Sequence, residues 1–122
     1  MRISVIGTGY VGLVSGTCFA EMGNFVTCVD IDAEKVEGLR SGKLPIFEPG
    51  LERYFERNTG EGRLTFTTRI EEAVPKSDIV FLALPTPPGA GGQADLSAVR
   101  AVAGELGDLI DDYTVVVNKS TV

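Results

Sequence analysis

Apolar residues along this chain form short continuous runs that alternate with stretches in which they recur every three or four residues. The short runs predict buried strands, because they are rich in Val, Ile and Phe and are bounded by turn residues. The predicted strands are Arg2–Ile6, Phe25–Val29, Leu64–Thr67, Ile79–Leu84 and Thr114–Asn118.

The stretches between these runs predict helices. After the first strand, apolar residues recur at helical spacing, and Gly23 followed by Asn24 ends the helix. That spacing includes Val11, Val14, Cys18, Phe19 and Met22. Further predicted helices are Ala33–Ser41 with Val36 and Leu39 facing inward, Pro49 to Asn58, Ile70–Val74 ended by Pro75, and Asp95–Asp111 with Val99, Val102, Leu106 and Ile110 on one side. Leu44–Gly50 and Pro85–Gly92 are predicted loops.

Strands that alternate with helices predict an α/β fold with a doubly wound parallel sheet of the Rossmann type. Right-handed crossovers and the usual winding give the strand order 3-2-1-4-5. We expect residues 1–122 to form one domain, since no linker, repeat or low-complexity tract divides them. The sequence ends just after the fifth strand, so we expect a fold truncated before its sixth strand.

Composition narrows the class of partner. The chain has 122 residues, is 43% hydrophobic and carries a formal net charge of −6. Nucleic acid and anionic membranes favour basic surfaces, so neither is an expected partner. The uncharged stretch from Ile3 to Ala20 contains several glycines, serines and threonines and is too polar for a membrane span. No signal-peptide cleavage pattern follows it, so we expect a soluble, unprocessed chain.

Histidine is absent, and no group of cysteines and carboxylates has the spacing of a metal site. The two cysteines, Cys18 and Cys28, both fall in predicted regular elements. We interpret both as small core residues rather than a disulfide pair or reactive thiols. A reducing, cytoplasmic compartment is consistent with this interpretation.

The segment from Gly7 to Gly12 has the pattern G-x-G-x-x-G and lies between a predicted strand and a predicted helix. In this context Gly7 permits a tight turn, Gly9 lets a pyrophosphate approach the backbone, and Gly12 lets the helix pack closely on the sheet. The N–H groups of Tyr10 and Val11 are the natural phosphate donors, because a helix begins with unpaired N–H groups. A purely structural glycine turn is the alternative.

Asp30 follows the second predicted strand. A carboxylate at this position accepts hydrogen bonds from the adenosine ribose and repels a 2′-phosphate, which favours NAD over NADP. Two alternatives remain at this point. Asp30 could be an ordinary turn residue, and FAD could replace NAD because it uses a similar turn and acid.

Several further motifs are not general features of dinucleotide folds. They include Val29-Asp30-Ile31-Asp32 followed by Lys35, Pro45-Ile46-Phe47-Glu48-Pro49-Gly50-Leu51, Gly62-Arg63-Leu64, Thr86-Pro87, Ala94-Asp95-Leu96-Ser97 and Val117-Asn118-Lys119-Ser120-Thr121-Val122. With Ile3–Gly16, they make nearly the whole chain resemble the UDP-glucose/GDP-mannose dehydrogenase family. The motifs look most like the bacterial UDP-glucose branch, and the GDP-mannose branch is the closest alternative.

The resemblance implies an enzyme that oxidises the C6 alcohol of a nucleotide sugar to a carboxylate by two hydride transfers to NAD. By the same resemblance, Val11, Asp30, Lys35, Thr86 and Thr121 contact NAD. Asp30 and Lys35 would hold the adenosine ribose, and the two threonines would lie toward the nicotinamide. Without the resemblance, Lys35 would be interpreted as a solvated surface lysine.

Two local features of the motifs qualify these roles. Many relatives have Gly where this chain has Pro85, and proline removes any backbone N–H contact there. Glu48-Pro49-Gly50 reads as a helix start, and we assign it no ligand contact.

The resemblance also places a catalytic cysteine and the sugar site beyond residue 122. We therefore expect this chain alone to bind NAD without turnover, and UDP-glucose to bind only to a full-length enzyme. The full-length protein is expected to be a homo-oligomer, and the fragment to self-associate through the apolar strand around Val115–Val117. A non-catalytic NAD-sensing module is the remaining alternative.

Overall fold

The computed structural model describes residues 1–85, 89–93 and 95–119. Strands and helices alternate along the chain, as the apolar pattern predicts. The strands are β1 (Arg2–Ile6), β2 (Phe25–Val29), β3 (Leu64–Thr67), β4 (Ile79–Leu82) and β5 (Val115–Asn118). The helices are α1 (Tyr10–Glu21), α2 (Ala33–Arg40), α3 (Leu51–Gly60), α4 (Ile70–Ala73) and α5 (Ser97–Leu109), with 3-10 turns at Val74–Lys76 and Ala90–Gly92.

The five strands form one parallel sheet in the order β3-β2-β1-β4-β5, which confirms the predicted fold and strand order. The register places Ile6 opposite both Val29 and Leu82, so β1, β2 and β4 end at the same level. The residues that follow these three strands are therefore brought together at one edge of the sheet.

Two apolar clusters lie in the fold. The larger one joins β1, β2 and β3 to α1, α2 and α3, and includes Val5, Leu13 and Phe55. The smaller one joins β4 to α4 and α5, and includes Val80 and Leu106. No helix within the described ranges combines the length and the apolar character needed to cross a membrane.

Helix α1 does not bury the apolar stripe that its sequence suggests. Its buried residues are Gly12, Leu13, Gly16, Thr17 and Ala20. This face packs inward because its small side chains let the helix approach the sheet closely.

The interpretation of Cys18 as a core residue is therefore wrong, because its side chain is exposed on the opposite face of α1. Val11 and Met22 are likewise 44% and 76% exposed. Cys28 is buried as predicted, and burial raises the pKa of its thiol to about 12, which keeps it protonated and unreactive.

Three predicted boundaries also differ. Helix α3 begins at Leu51 rather than Pro49, because the Leu51 N–H closes a turn onto the Glu48 carbonyl at 3.0 Å. Strand β4 ends at Leu82 rather than Leu84, since its neighbour β1 ends at Ile6. Helix α5 is shorter at both ends than predicted, spanning Ser97–Leu109, and of its expected inward residues only Leu106 is fully buried.

Candidate functional site

The glycine turn begins where β1 ends, between the ends of β2 and β4. Gly7 has φ +113°, and its N–H donates to the Val29 carbonyl at 2.7 Å. A Cβ at Gly7 would lie 2.2 Å from the carbonyl oxygen of Ala83, which follows β4. Both the backbone conformation and the space therefore require glycine at this position.

Close packing of α1 on the turn depends on Gly12. A Cβ at Gly12 would lie only 2.0 Å from the carbonyl oxygen of Gly7. One turn later, a Cβ at Gly16 would lie 2.9 Å from the Cys28 sulfur. The two glycines hold the start of α1 against the ends of β1 and β2.

Gly9, by contrast, is not required by the protein itself. It is the N-cap of α1 with φ −75°, a value open to any residue, and a Cβ there would meet nothing within 4 Å. A side chain at Gly9 would instead project into the open space beside the start of the helix. That space is what a ligand backed onto the turn would occupy.

The start of α1 lacks the acidic group that other helices of this chain possess. Gly9 provides no side-chain cap, and the first turn of α1 has no acidic residue. In α2 the Asp32 carboxylate accepts from the N–H groups of Glu34 and Lys35 at 3.1 and 3.2 Å. The first N–H groups of α1, those of Tyr10 and Val11 among them, are thus available to an external anion.

Asp30, directly after β2, turns its carboxylate toward the glycine turn. Its Oδ2 accepts from the Thr8 hydroxyl at 2.6 Å and from the Thr8 N–H at 3.2 Å. Its Oδ1 accepts from the Asp32 N–H at 3.0 Å, and the Lys35 ammonium lies 3.8 Å from Oδ2. The carboxylate is thereby fixed in position, and Oδ1 retains capacity to accept further hydrogen bonds.

These contacts decide the charge of Asp30. Burial alone would raise the pKa of its carboxyl, but the hydrogen bonds from Thr8 and Asp32 and the charge of Lys35 outweigh burial, and the net pKa is lowered. Asp30 is therefore ionised at neutral pH. An ionised acceptor suits ribose hydroxyls and opposes a phosphate.

The side chain of Tyr10 makes a second contact beside the turn. Its phenol donates to the Glu48 carboxylate, and this hydrogen bond raises the pKa of Tyr10. The contact ties the loop before α3 to the first residue of α1. Glu48, to which the sequence assigned no ligand contact, thus lies at the border of the candidate site.

The structure brings together seven of the residues that the sequence singles out, namely Gly7, Gly9, Tyr10, Val11, Gly12, Asp30 and Lys35. Thr86 and Thr121 lie outside the described residues. Pro85 is described and exposed. The sequence analysis missed Thr8, whose signal was a hydroxyl between two glycines with an acid at the end of the next strand.

An uncapped helix start, a glycine turn open on one side and an ionised carboxylate at the end of β2 define a dinucleotide-binding domain of the doubly wound class. The sequence profile of the UDP-glucose/GDP-mannose dehydrogenase family, NAD binding domain, matches residues 1–122. The chain belongs to this family.

Individual relatives agree with this assignment. The chain is 54% identical to UDP-glucose 6-dehydrogenase TuaD of Bacillus subtilis over 99% of its own length and 26% of that protein. Among solved structures, it is similar to a GDP-mannose dehydrogenase from Pseudomonas aeruginosa, with TM-score 0.94, 39% identity, and coverage of 100% of this chain and 29% of that one.

A UDP-glucose dehydrogenase from Pyrobaculum islandicum gives TM-score 0.92 and 43% identity, covering 99% of this chain and 29% of that one. The chain thus spans about a quarter of the length of the curated relatives, 26% and 27% of two bacterial ones.

Proposed function

We propose that this chain is the NAD-binding domain of a UDP-glucose 6-dehydrogenase. The enzyme would oxidise the C6 alcohol of UDP-glucose to the carboxylate of UDP-glucuronate, with two NAD molecules reduced and one water consumed. The uncapped, open turn at Gly9 carries the cofactor part of the proposal. The sugar part is supported by relatives named UDP-glucose 6-dehydrogenase with identities of 54% and 52%.

The residues around the turn divide the work of binding. The N–H groups of Tyr10 and Val11 would donate to the pyrophosphate, aided by the positive end of the α1 dipole. Asp30 would accept from the ribose hydroxyls through Oδ1, and Lys35 would contact the same ribose. The resemblance to the family extends the site to Thr86 and Thr121 near the nicotinamide. Bound NAD supplies the ring that accepts hydride.

Asp30 also favours NAD over its competitors. A 2′-phosphate on NADP would approach an ionised carboxylate, and the resulting repulsion reduces affinity. FAD uses a similar turn, but the family match concerns an NAD-binding domain. GDP-mannose is the alternative sugar nucleotide, since a GDP-mannose dehydrogenase is among the similar structures.

Calorimetry with NAD, NADP and FAD tests the cofactor assignment. We expect the chain to bind NAD in preference to both others, and Asp30→Ala to weaken NAD binding about tenfold, as befits loss of a charge-assisted hydrogen bond. Preferential binding of FAD, or NAD binding that does not depend on Asp30, would contradict the proposal.

Gly9→Asp gives a sharper test because it should move stability and binding in opposite directions. An Asp side chain fits the open space at Gly9 and would cap α1, so unfolding by urea should be unchanged or harder by a few tenths of a kcal/mol. Its charge would occupy the phosphate position, so NAD binding should fall by about a hundredfold or more. Retained NAD affinity would show that the dinucleotide lies elsewhere.

Catalysis requires parts that this chain is not expected to contain. We propose that the 122-residue chain binds NAD but does not turn over UDP-glucose, so an assay of the chain alone should give no steady NADH production. For the enzyme that contains this domain, NADH production with UDP-glucose should exceed that with GDP-mannose. The reverse preference would move the assignment to the GDP-mannose branch.

Association and location complete the proposal. Strand β5 lies at one edge of the sheet, with Val115 and Val116 41% and 44% exposed. An apolar edge promotes pairing between chains, so the fragment should self-associate and the full-length enzyme should form a homo-oligomer. Sedimentation that finds only monomer at high concentration would contradict this. Two free cysteines are consistent with a cytoplasmic location.

A further inference from the structure

Thr8 occupies the first variable position of the glycine turn and is almost completely buried, with 1% exposure. Buried hydroxyl groups must find a hydrogen-bond partner. The hydroxyl of Thr8 donates to Asp30 Oδ2 at 2.6 Å, and its N–H donates to the same oxygen at 3.2 Å. One residue thus holds one carboxylate oxygen with two donors.

This arrangement determines which oxygen of Asp30 faces a ligand. With Oδ2 occupied by Thr8 and approached by Lys35 at 3.8 Å, Oδ1 is the atom with spare acceptor capacity. Removing the Thr8 hydroxyl would leave Oδ2 with the weaker N–H bond alone. The carboxylate could then rotate, and Lys35 would be less firmly engaged.

We propose that Thr8 is a positioning residue that holds the Asp30 carboxylate ionised and oriented, and thereby sets the preference of this site for NAD over NADP. The inference rests on the proposed NAD-binding function. It assigns to Thr8 no direct contact with the cofactor. Its effect is transmitted through the position and charge of Asp30.

The charged surroundings of Asp30 support this role. Lys35 from α2 is the neighbouring cation, and the Asp32 carboxylate is turned toward the start of α2, where it accepts from backbone N–H groups. On the β3 side the Asp30 N–H donates to the Thr67 carbonyl at 3.1 Å. The Thr8 hydroxyl is the largest of the contributions that lower the pKa of Asp30 against the effect of burial.

Thr8→Val tests the proposal because valine keeps the shape of threonine and removes only the hydroxyl. We expect NAD affinity to fall about tenfold and the NAD/NADP preference to shrink by a similar factor, the size of one charge-assisted hydrogen bond. Thr8→Ser, which restores a hydroxyl, should recover most of both. An unchanged NAD/NADP ratio in a folded Thr8→Val chain would overturn the proposal.

The pH profile separates positioning from general damage. Asp30 has a lowered pKa, so NAD binding should persist above that pKa and be lost as pH falls through it. In Thr8→Val the pKa rises, so the loss should begin at higher pH. A change in affinity with no movement of this acid limb would count against Thr8 acting through Asp30.

Thr17→Val is the matched control. Thr17 is also a fully buried threonine, but within the described part of the chain its hydroxyl has no hydrogen-bond partner. Removing that hydroxyl should leave NAD affinity, the NAD/NADP ratio and the acid limb unchanged. If Thr17→Val matched Thr8→Val in all three, the effect would be one of packing and the proposal would fail.

A titration that needs neither variant nor cofactor completes the test. The Asp30 carboxyl carbon, followed by NMR in the wild-type chain, should titrate below the ordinary aspartate pKa of about 3.9. A value at or above it would overturn the proposed role of Thr8 even if Thr8→Val did not fold. If the wild-type chain bound no NAD while Asp30 titrated low, the proposed function would fail, and with it the ligand part of this inference.

Discussion

Helices α1 and α5 each contain two internal glycines, yet the glycines have opposite meanings. In α1, a Cβ at Gly12 or Gly16 would collide with the Gly7 carbonyl or the Cys28 sulfur. In α5, a Cβ at Gly104 or Gly107 would meet nothing within 4 Å. The first pair permits close contact with the sheet, while the second pair only weakens its helix.

The starts of the two helices differ in the same way. The first turn of α1 has no acidic residue and its N-cap Gly9 has no side chain. At α5 the Asp95 carboxylate accepts from the Ser97 N–H at 3.0 Å, which satisfies a group that is left open in α1. The comparison teaches that α1 forgoes local stabilisation where a ligand is proposed to bind, whereas α5 is stabilised by its own residues.

The strongest break of this comparison is Gly12→Ala. The added methyl group would have to move α1 away from the turn, because the obstructing atom is backbone and cannot rotate aside. We expect the free energy of unfolding to fall by about 3 kcal/mol or more, and NAD binding to be lost with the turn geometry. Urea unfolding followed by circular dichroism measures the first effect, and calorimetry the second.

The matched control for Gly12→Ala is Gly104→Ala, which places the same methyl group in the exposed middle of α5. It should raise the free energy of unfolding by about 0.5–1 kcal/mol, because alanine restricts the unfolded chain and favours the helix. Equal effects from the two substitutions would remove the distinction between the helices.

The packing of α1 also shows where sequence-based prediction reaches its limit. The five strands were predictable because a continuous apolar run depends only on neighbouring residues. The buried face of α1 was not, because its apolar stripe at Val11 and Met22 points outward while its glycines face the sheet. Close approach of two backbones is a tertiary property that outweighs hydrophobic periodicity.

The candidate site divides along the same line. Gly7, Gly9 and Asp30 follow from motif spacing. The contact between Thr8 and Asp30 joins residues 22 positions apart, and only the register of β1 and β2 places them side by side. The hydrogen bond from Tyr10 to Glu48 depends on the path of a loop that no local pattern specifies.

A second break, of intermediate size, lies at the far end of α1. Asn58 of α3 is fully buried, and its amide donates to the Glu21 carboxylate at 3.1 Å and to the Tyr54 carbonyl at 2.8 Å. Its oxygen accepts from Arg63 at 3.0 Å. Asn58→Ala leaves these partners unsatisfied, so we expect a loss of about 2 kcal/mol in urea unfolding.

Arg57→Gln is the control for Asn58→Ala, because it removes a neighbouring but exposed contact to the same Glu21. Exposed ion pairs contribute little, so its effect should stay below about 1 kcal/mol. If Arg57→Gln cost as much as Asn58→Ala, the end of α1 would be held by charge rather than by the buried amide.

The smallest expected effect concerns the acid at the start of α5. The hydrogen bond from the Ser97 N–H is the main cause that lowers the pKa of Asp95, so the ionised form stabilises the folded chain. This stabilisation is present above the ordinary aspartate pKa of about 3.9 and is lost as pH falls through the lowered value. Asp95→Asn keeps an acceptor oxygen but removes the charge, so at pH 7 it should lower the unfolding midpoint by less than Asn58→Ala does. The difference from wild type should vanish near pH 2, since Asp95 is then protonated. A difference that stayed constant with pH would mean that the charge of Asp95 does not stabilise α5, and that α1 gives up nothing by lacking one.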